Sequence, residues 1–271
     1  MQDKLQSLKK IDGNTLKIIA CVCMLLDHIG AAFIYPVATR GLYPDSMTFD
    51  QVKLIYDTFR TIGRMAFPLY CFLLTEGFIH TKSRPRYALS LFLFALISEP
   101  FYEVAFHAEI DPFNINMIEV LRTNADTRFE NCNAYFSLLI GLLTIWAVDY
   151  FMNKAKEDLT WYPRSVSLSV IAAAAGAYLA YRIQCDYKSF GILLIIALYF
   201  LRPLEPLNIL AGYIILSMYM SEYKSLPAFI LMLFYSKKRG RSLGYKKYLF
   251  YAFYPLHIFL IYLIRCLIYG T

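Results

Sequence analysis

The chain has 271 residues, of which 58% are hydrophobic and only 17% charged, and its net charge is +7. Soluble domains average about 45–50% apolar and about 25% charged, so this composition excludes an ordinary soluble domain. The basic residues lie between apolar runs, which reads as membrane topology and not as a nucleic-acid surface.

No RNA- or DNA-binding signature occurs, so no nucleic acid is expected as partner. No Gly/Ser/Pro-rich linker divides the sequence, so residues 1–271 read as a single integral membrane domain. The first apolar run follows a basic start and lacks a small-residue cleavage site, so no cleavable signal peptide is expected.

A membrane-spanning helix takes about 20 mostly apolar residues, range about 17–25. Such runs lie near 16–35, 61–80, 87–106, 134–153, 166–181, 189–201, 207–220, 226–236 and 248–268. The expected fold is therefore an all-α, polytopic transmembrane helical bundle of about nine spans, with eight to ten as the range because three runs are short. With the N-terminus in the cytoplasm, seventeen of the 27 Lys and Arg residues fall in inside segments and eight, Arg40 and Arg60 among them, in outside segments. The alternation holds loop by loop and predicts a multi-pass protein of the cell (plasma) membrane with a cytoplasmic N-terminus.

The first span, "KIIACVCMLLDHIGAAFIY", carries Asp27 and His28 within its apolar run. An acid at the centre of a span costs about 2.5–3.5 kcal/mol on insertion scales, so such a residue usually faces a cavity or a partner. Lys17 and His28 are eleven residues apart, almost three whole turns, so they share a helix face about 16 Å apart along the axis. A cation at the cytoplasmic boundary and a deeper imidazole suit a long donor with a phosphate head. Spacing alone favours the plainer reading, a snorkelling Lys17 and a hydrogen-bonded structural His28. Asp27 points about 100° away from His28, and Arg64 on the second span is its expected partner.

The second span, "GRMAFPLYCFLLTEGFIHT", places Pro68 four residues after Arg64, where its missing N–H interrupts the helix. Glu76 is either a further polar site residue or a boundary carboxylate paired with Lys82 or Arg84. Glu99-Pro100 marks a second expected break. The polar segment 107–133 reads as a lid, a docking surface or a short surface helix with turns. Asp186, in "CDYKSFG", sits where it can cap or line an external mouth. In "FYAFYPLHIFL", Tyr254 and His257 share a helix face, and His257 is a second candidate acid or base. Cys21, Cys23, Cys71 and Cys266 read as packing residues, whereas a disulfide between Cys132 and Cys185 stays open. No metal-ligand spacing occurs, and no metal is expected.

Five stretches together resemble the TraX family, membrane proteins named for a conjugal-transfer protein that acetylates the pilin amino terminus. They are "LKIIACVCMLLDHIG" (16–30), "IGRMAFPLYCFLLTEGFIHT" (62–81), "YALSLFLFALISEPF" (87–101), "CDYKSFGILLI" (185–195) and "FYAFYPLHIFL" (250–260), in the family's order over nearly the whole chain. One position departs: where the family usually has glycine straight after the Asp-Tyr pair, this chain has Lys188. The TraX pattern is distantly similar to a larger set of membrane-bound acyltransferases with a first-helix histidine and a basic residue eleven positions earlier. That similarity puts His28 and Lys17 at those positions, with lysine where arginine is usual.

The resemblance implies an integral membrane acyltransferase that takes an acyl group from acetyl-CoA to a hydroxyl or amine acceptor. The acceptor class, whether glycan, lipid, peptide or pilin-like protein, stays open. His28 is then the expected general base, with Asp27, Arg64, Tyr254 and His257 as catalytic candidates. Lys17, Lys82 and Arg84 are expected at the cofactor phosphates. The alternatives are a proton-coupled transporter, because intramembrane Asp, Glu and His also build proton relays, and a structural assembly subunit.

Overall fold

A computed structural model describes residues 9–108, 111–125, 131–241 and 244–270. Twelve α-helices occur among them: α1 (Gly13–Ile29), α2 (Tyr35–Thr39), α3 (Phe49–Gly63), α4 (Ala66–His80), α5 (Arg84–Phe106), α6 (Met117–Thr123), α7 (Ala134–Glu157), α8 (Tyr162–Arg182), α9 (Lys188–Phe200), α10 (Leu207–Ser217), α11 (Leu226–Leu233) and α12 (Lys247–Tyr269). The described residues contain no strand, only an isolated bridge between Ile11 and Tyr235. The described residues are all-α, and each apolar run of the sequence overlaps one or more helices, the run 61–80 being divided by the turn at Arg64–Met65. Five stretches are long and apolar enough to cross a membrane: Gly13–Thr39, Phe49–His80, Arg84–Phe106, Ala134–Glu157 and Tyr248–Tyr269. Lys188–Phe200 and Leu207–Ser217 are shorter apolar helices.

Local chemistry explains the boundaries. The Asp12 carboxylate accepts the Thr15 N–H and caps α1. Those hydrogen bonds hold its carboxyl below the usual carboxylate range. After Ile29 the helix widens into a π-turn, Gly30–Ile34, and then resumes as α2. The turn between α3 and α4 falls at Arg64–Met65, four residues before Pro68, where the proline removes a backbone donor.

Two expectations are corrected here. The helix before that turn begins at Phe49, well before the expected span start near 61, so Arg60 lies on a helix; Thr48 and Gln51 form a capping box at its start. Glu99-Pro100 does not break α5, which runs through Pro100 to Phe106. A helix inside a membrane tolerates proline when neighbouring groups satisfy the freed carbonyl.

The chain divides into two compact units. The first comprises Met1–Phe67, Leu96–Arg128 and Tyr235–Thr271; the second comprises Pro68–Ala95 and Phe129–Phe234. In the first, contacts between α1 and α12 advance in step: Lys17 lies over Phe250, His28 meets His257, and Phe33 meets Tyr269. These two helices therefore run parallel. The helix α3 runs antiparallel to α1, with Asp27 at Arg60 and Tyr35 at Tyr56. Gly63 is required at that crossing, because a Cβ there would overlap the Asp27 carboxylate.

In the second unit, α7, α8, α9 and α10 pack closely through small residues. Added Cβ atoms at Gly141 and Gly176 would overlap Ile195 and Thr144 respectively, the small-residue approach favoured between helices in lipid. All six cysteines are free and buried. Cys132 and Cys185 share one apolar cluster, so the disulfide left open by the sequence is not formed.

Segment 107–133 contains the short surface helix α6, with residues 109–110 and 126–130 outside the described ones. It is anchored within the first unit. Asn124 donates to Glu103 Oε1 (2.6 Å) and to the His107 carbonyl (2.7 Å), and the Tyr262 hydroxyl donates to the Asn114 carbonyl (2.7 Å).

Candidate functional site

His28, Tyr254 and His257 converge in the first unit. His28 comes from the last turn of α1, just before the π-turn, and π-turns occur often at functional sites. His28 Nδ1 lies 2.6 Å from His257 Nε2, with the two rings nearly parallel at 7°. His257 Nδ1 lies 2.6 Å from the carbonyl oxygen of Phe253, one turn earlier on α12. The rings of Phe106 and Tyr254 meet His28 edge-on at 5.1 and 5.6 Å. These rings wall two sides of the His28 imidazole.

The hydrogen positions follow from the partners. A carbonyl can only accept, so His257 Nδ1 carries the hydrogen. In a neutral imidazole the other nitrogen then accepts, so His257 Nε2 takes its hydrogen bond from His28 Nδ1–H. That leaves His28 Nε2 with its lone pair. This nitrogen has no hydrogen-bond partner among the described residues, and the side chain is half-buried, not sealed. The chain from the Phe253 carbonyl through His257 to His28 thus fixes one tautomer and presents a proton acceptor (a device in which a second group holds the base in register).

Asp27 lies beside this pair. Its Oδ2 accepts from Arg60 Nη1 at 2.5 Å, so the partner is Arg60 and not the expected Arg64. Arg64, the C-cap residue of α3, acts on the same carboxylate through space. Asp27 Oδ1 is buried and has no hydrogen-bond partner among the described residues. The Arg60 charge also reaches His28, so the guanidinium that pairs with Asp27 acts on the imidazole as well. Lys17 lies on α1 about three turns before His28. It is half-buried, with its ammonium 5.9 Å from the Phe250 ring centroid. Glu99 is buried on α5, in the same unit.

Arg265, to which sequence reasoning gave no role, is fully buried on α12. It donates to the Ala32, Ala105 and Val104 carbonyls at 2.5, 2.9 and 3.2 Å. Ala32 is the residue whose α-helical donor would be the N–H of Pro36, which proline lacks. Val104 and Ala105 end α5, whose last carbonyls have no donor inside the helix. Arg265 supplies both shortages and holds the π-turn in place behind His28.

The remaining candidates lie in the second unit. Glu76 pairs with Arg202 through two contacts, 2.6 and 3.3 Å, and not with Lys82 or Arg84. Arg84 pairs with Asp149 at 2.6 Å, and Asp149 also accepts from the Tyr199 hydroxyl at 2.5 Å. Lys82 is exposed. Asp186 sits in the turn before α9; its N–H donates to the Cys132 carbonyl (3.2 Å) and its own carbonyl accepts from Ser137 (2.5 Å). Lys188 follows with φ 45°, in the left-handed region that favours glycine. That is the position where the family pattern has glycine. Among the described residues no group of three or more His, Cys, Asp or Glu side chains is placed to hold a metal ion.

A relative from Dichelobacter nodosus, named as a probable fimbrial assembly protein, FimC of serogroup H1, is 27% identical over 269 residues, covering 91% of this chain and 92% of its own. No solved structure matches. A family profile described as "TraX protein" matches residues 12–265, nearly the whole length over which the helices and the imidazole pair are arranged, and the chain belongs to the TraX family.

Proposed function

We propose that the protein is an integral membrane acyltransferase. It moves an acetyl group from acetyl-CoA, arriving from the cytoplasm, to a hydroxyl or amine at the membrane or its outer side. The proposed setting is the plasma membrane, with the N-terminus cytoplasmic and about nine crossings. The observation that carries this reading is the hydrogen-bonded chain Phe253 carbonyl–His257–His28, which leaves His28 Nε2 as an unprotonated base inside an apolar wall.

In the proposed reaction the acceptor X–H approaches His28 Nε2. As the X–C bond forms at the thioester carbonyl, the proton passes from X to Nε2. Charge develops on the carbonyl oxygen, and Arg60, whose charge acts on His28, is the cation proposed to oppose it, with Arg64 beside the same Asp27 carboxylate. Collapse of the adduct breaks the C–S bond, and the proton on Nε2 passes to the leaving thiolate, so His28 ends neutral. His257 accepts from Nδ1–H throughout and steadies the imidazolium, Asp27 holds Arg60 in place, and the Tyr254 ring closes one side. The acceptor we favour is a fimbrial or pilin-like subunit, in keeping with the name of the Dichelobacter relative and with the family's association with pilin acetylation.

General-base catalysis is worth about 10²–10⁴ in rate. Purified protein in detergent, with acetyl-CoA, should release thiol and bind the donor. His28→Ala should lose at least ~10²-fold in rate while binding the donor as before. An unchanged rate in that variant removes the proposed base.

A further inference from the structure

A second cationic feature lies at the far end of α1 from His28. The segment Tyr235–Arg241, between α11 and α12, runs back along the start of α1 and is fixed there by its backbone. Ser236 N–H donates to the Ile11 carbonyl (2.8 Å), Gly13 N–H to the Lys238 carbonyl (2.9 Å), and the Asn14 side chain to the Arg241 carbonyl (2.8 Å). The approach is so close that a Cβ at Gly240, where φ is 83°, would come within 2.7 Å of the Asp12 carboxylate. Lys237 is also held at φ 59°, a strained conformation for a residue with a side chain.

Lys238, Arg239 and Arg241 are exposed on this segment, as is Lys10, the residue before Ile11, whose carbonyl pairs with it. None of these four has an ion-pair partner among the described residues. Arg239 stands close enough to Lys17 for the two charges to interact. The acid at this spot, Asp12, is already engaged as the α1 cap. A backbone-fixed segment that carries three exposed cations along the start of a basic helix creates a local positive potential suited to an anion.

We infer that Lys238, Arg239 and Arg241, with Lys10 and Lys17, form the recognition platform for the phosphates of the acyl donor, a nucleotide carrying a pyrophosphate and a ribose phosphate. This deepens the acyltransfer reading and rests on it. Lys17 lies between the platform and His28, about 16 Å short of the imidazole along the helix. A donor anchored by its phosphates at the platform extends its long thiol arm along α1 towards the base. Phosphates on lipid headgroups have the same chemistry, so the test separates the two sources.

The protein is placed in nanodiscs of phosphatidylcholine alone and titrated with CoA, dephospho-CoA and adenosine 3′,5′-bisphosphate. The last carries no thiol and is blind to His28. The comparison is with a variant carrying Lys238→Gln, Arg239→Gln and Arg241→Gln, three exposed positions, and with Gly240→Ala, which presses the segment away from α1. Charge-assisted contacts are worth about tenfold each or more. The triple variant should therefore bind CoA and the bisphosphate about 1000-fold more weakly, raise KM for acetyl-CoA similarly and keep kcat at saturating donor. Gly240→Ala should weaken both ligands in the same direction. Dephospho-CoA should bind the native chain less tightly than CoA. If the native chain cleaves acetyl-CoA and the triple variant does so with the same KM, the platform is refuted and the acyltransfer reading stands. If the variant loses only its response to added phosphatidylglycerol, the cations serve lipid and the inference is also refuted. If the native chain neither binds nor cleaves acetyl-CoA, the acyltransfer reading falls first and takes this inference with it.

Discussion

Replacing His257 by Phe keeps an aromatic ring of similar size on α12 but removes the acceptor for His28 Nδ1–H. The 2.6 Å contact to His257 Nε2 is the hydrogen bond that imidazole makes among the described residues. Leaving a buried donor without its partner costs about 1–3 kcal/mol. The neutral ring escapes the cost by moving its hydrogen to Nε2, which abolishes the lone pair needed for proton transfer. At about 1.4 kcal/mol per decade, the reactive tautomer becomes scarcer by about 5- to 150-fold. Loss of His28 itself should cost more, about 10²–10⁴. His257→Gln, whose amide oxygen can accept, should recover part of the difference. The assay is acetyl transfer or thiol release by protein purified in detergent, with kcat and KM separated and folding checked by thermal melting. The expected result is a fall in kcat with little change in KM for acetyl-CoA, larger in Phe than in Gln. Equal kcat in native and Phe proteins would refute the tautomer argument. Equal losses in Phe and Gln, with both folded, would show that packing and not hydrogen bonding matters at this position.

Gly63→Ala forces a methyl into the Asp27 carboxylate; it should destabilise the protein by about 1–3 kcal/mol, read as a lower Tm, and reduce kcat by displacing Arg60. Arg265→Met leaves the Ala32, Val104 and Ala105 carbonyls without this donor. At about 1–3 kcal/mol each the variant should fail to accumulate as a monodisperse species, which size-exclusion chromatography of a fluorescent fusion detects. Lys188→Gly relieves the left-handed backbone at φ 45° and should raise Tm by the equivalent of about 1 kcal/mol; an unchanged or lower Tm contradicts the strain. Asp12→Ala removes the α1 cap at a cost of about 1 kcal/mol. Because the folded-state pKa of Asp12 lies below the ordinary value of 3.8, its contribution is fully present above that value. It is lost as pH falls through the folded pKa, so the Tm gap between native and Ala proteins should close only in acid.

Hydropathy located the strongly apolar helices, whose apolar residues are continuous in sequence, but not α3, whose Phe49–Gly63 stretch mixes charged and apolar residues. It also placed His28 and Lys17 on one helix face, a local matter of spacing. What it could not reach were pairings between distant helices. The His28–His257 contact joins residues 229 apart and the Arg202–Glu76 pair residues 126 apart, and neither leaves a periodic trace. Arg60 was misplaced because a cation flanking an apolar run counts as loop by the positive-inside rule. A local signal was available: Thr48-Phe49-Asp50-Gln51 is a capping-box pattern, and it starts the helix that carries Arg60 to Asp27. The role of Arg265 was half legible. Pro36 announces that the Ala32 carbonyl needs another donor, but only the fold says which one arrives. The expected break at Pro100 failed because proline removes one hydrogen bond without dictating where a membrane helix must end.

The most direct test follows a labelled acetyl group. Inside-out membrane vesicles containing the native chain receive acetyl-CoA labelled in the acetyl carbon, and label fixed to lumenal or membrane-bound acceptors is counted after washing. The same is done for His28→Gln at matched protein level and matched Tm. Proton transfer at His28 Nε2 predicts stable labelling in the native vesicles and a loss of at least ~10²-fold in the variant. Equal labelling in both, or none in either while the native protein is folded and supplied with the proposed fimbrial acceptor, would contradict it.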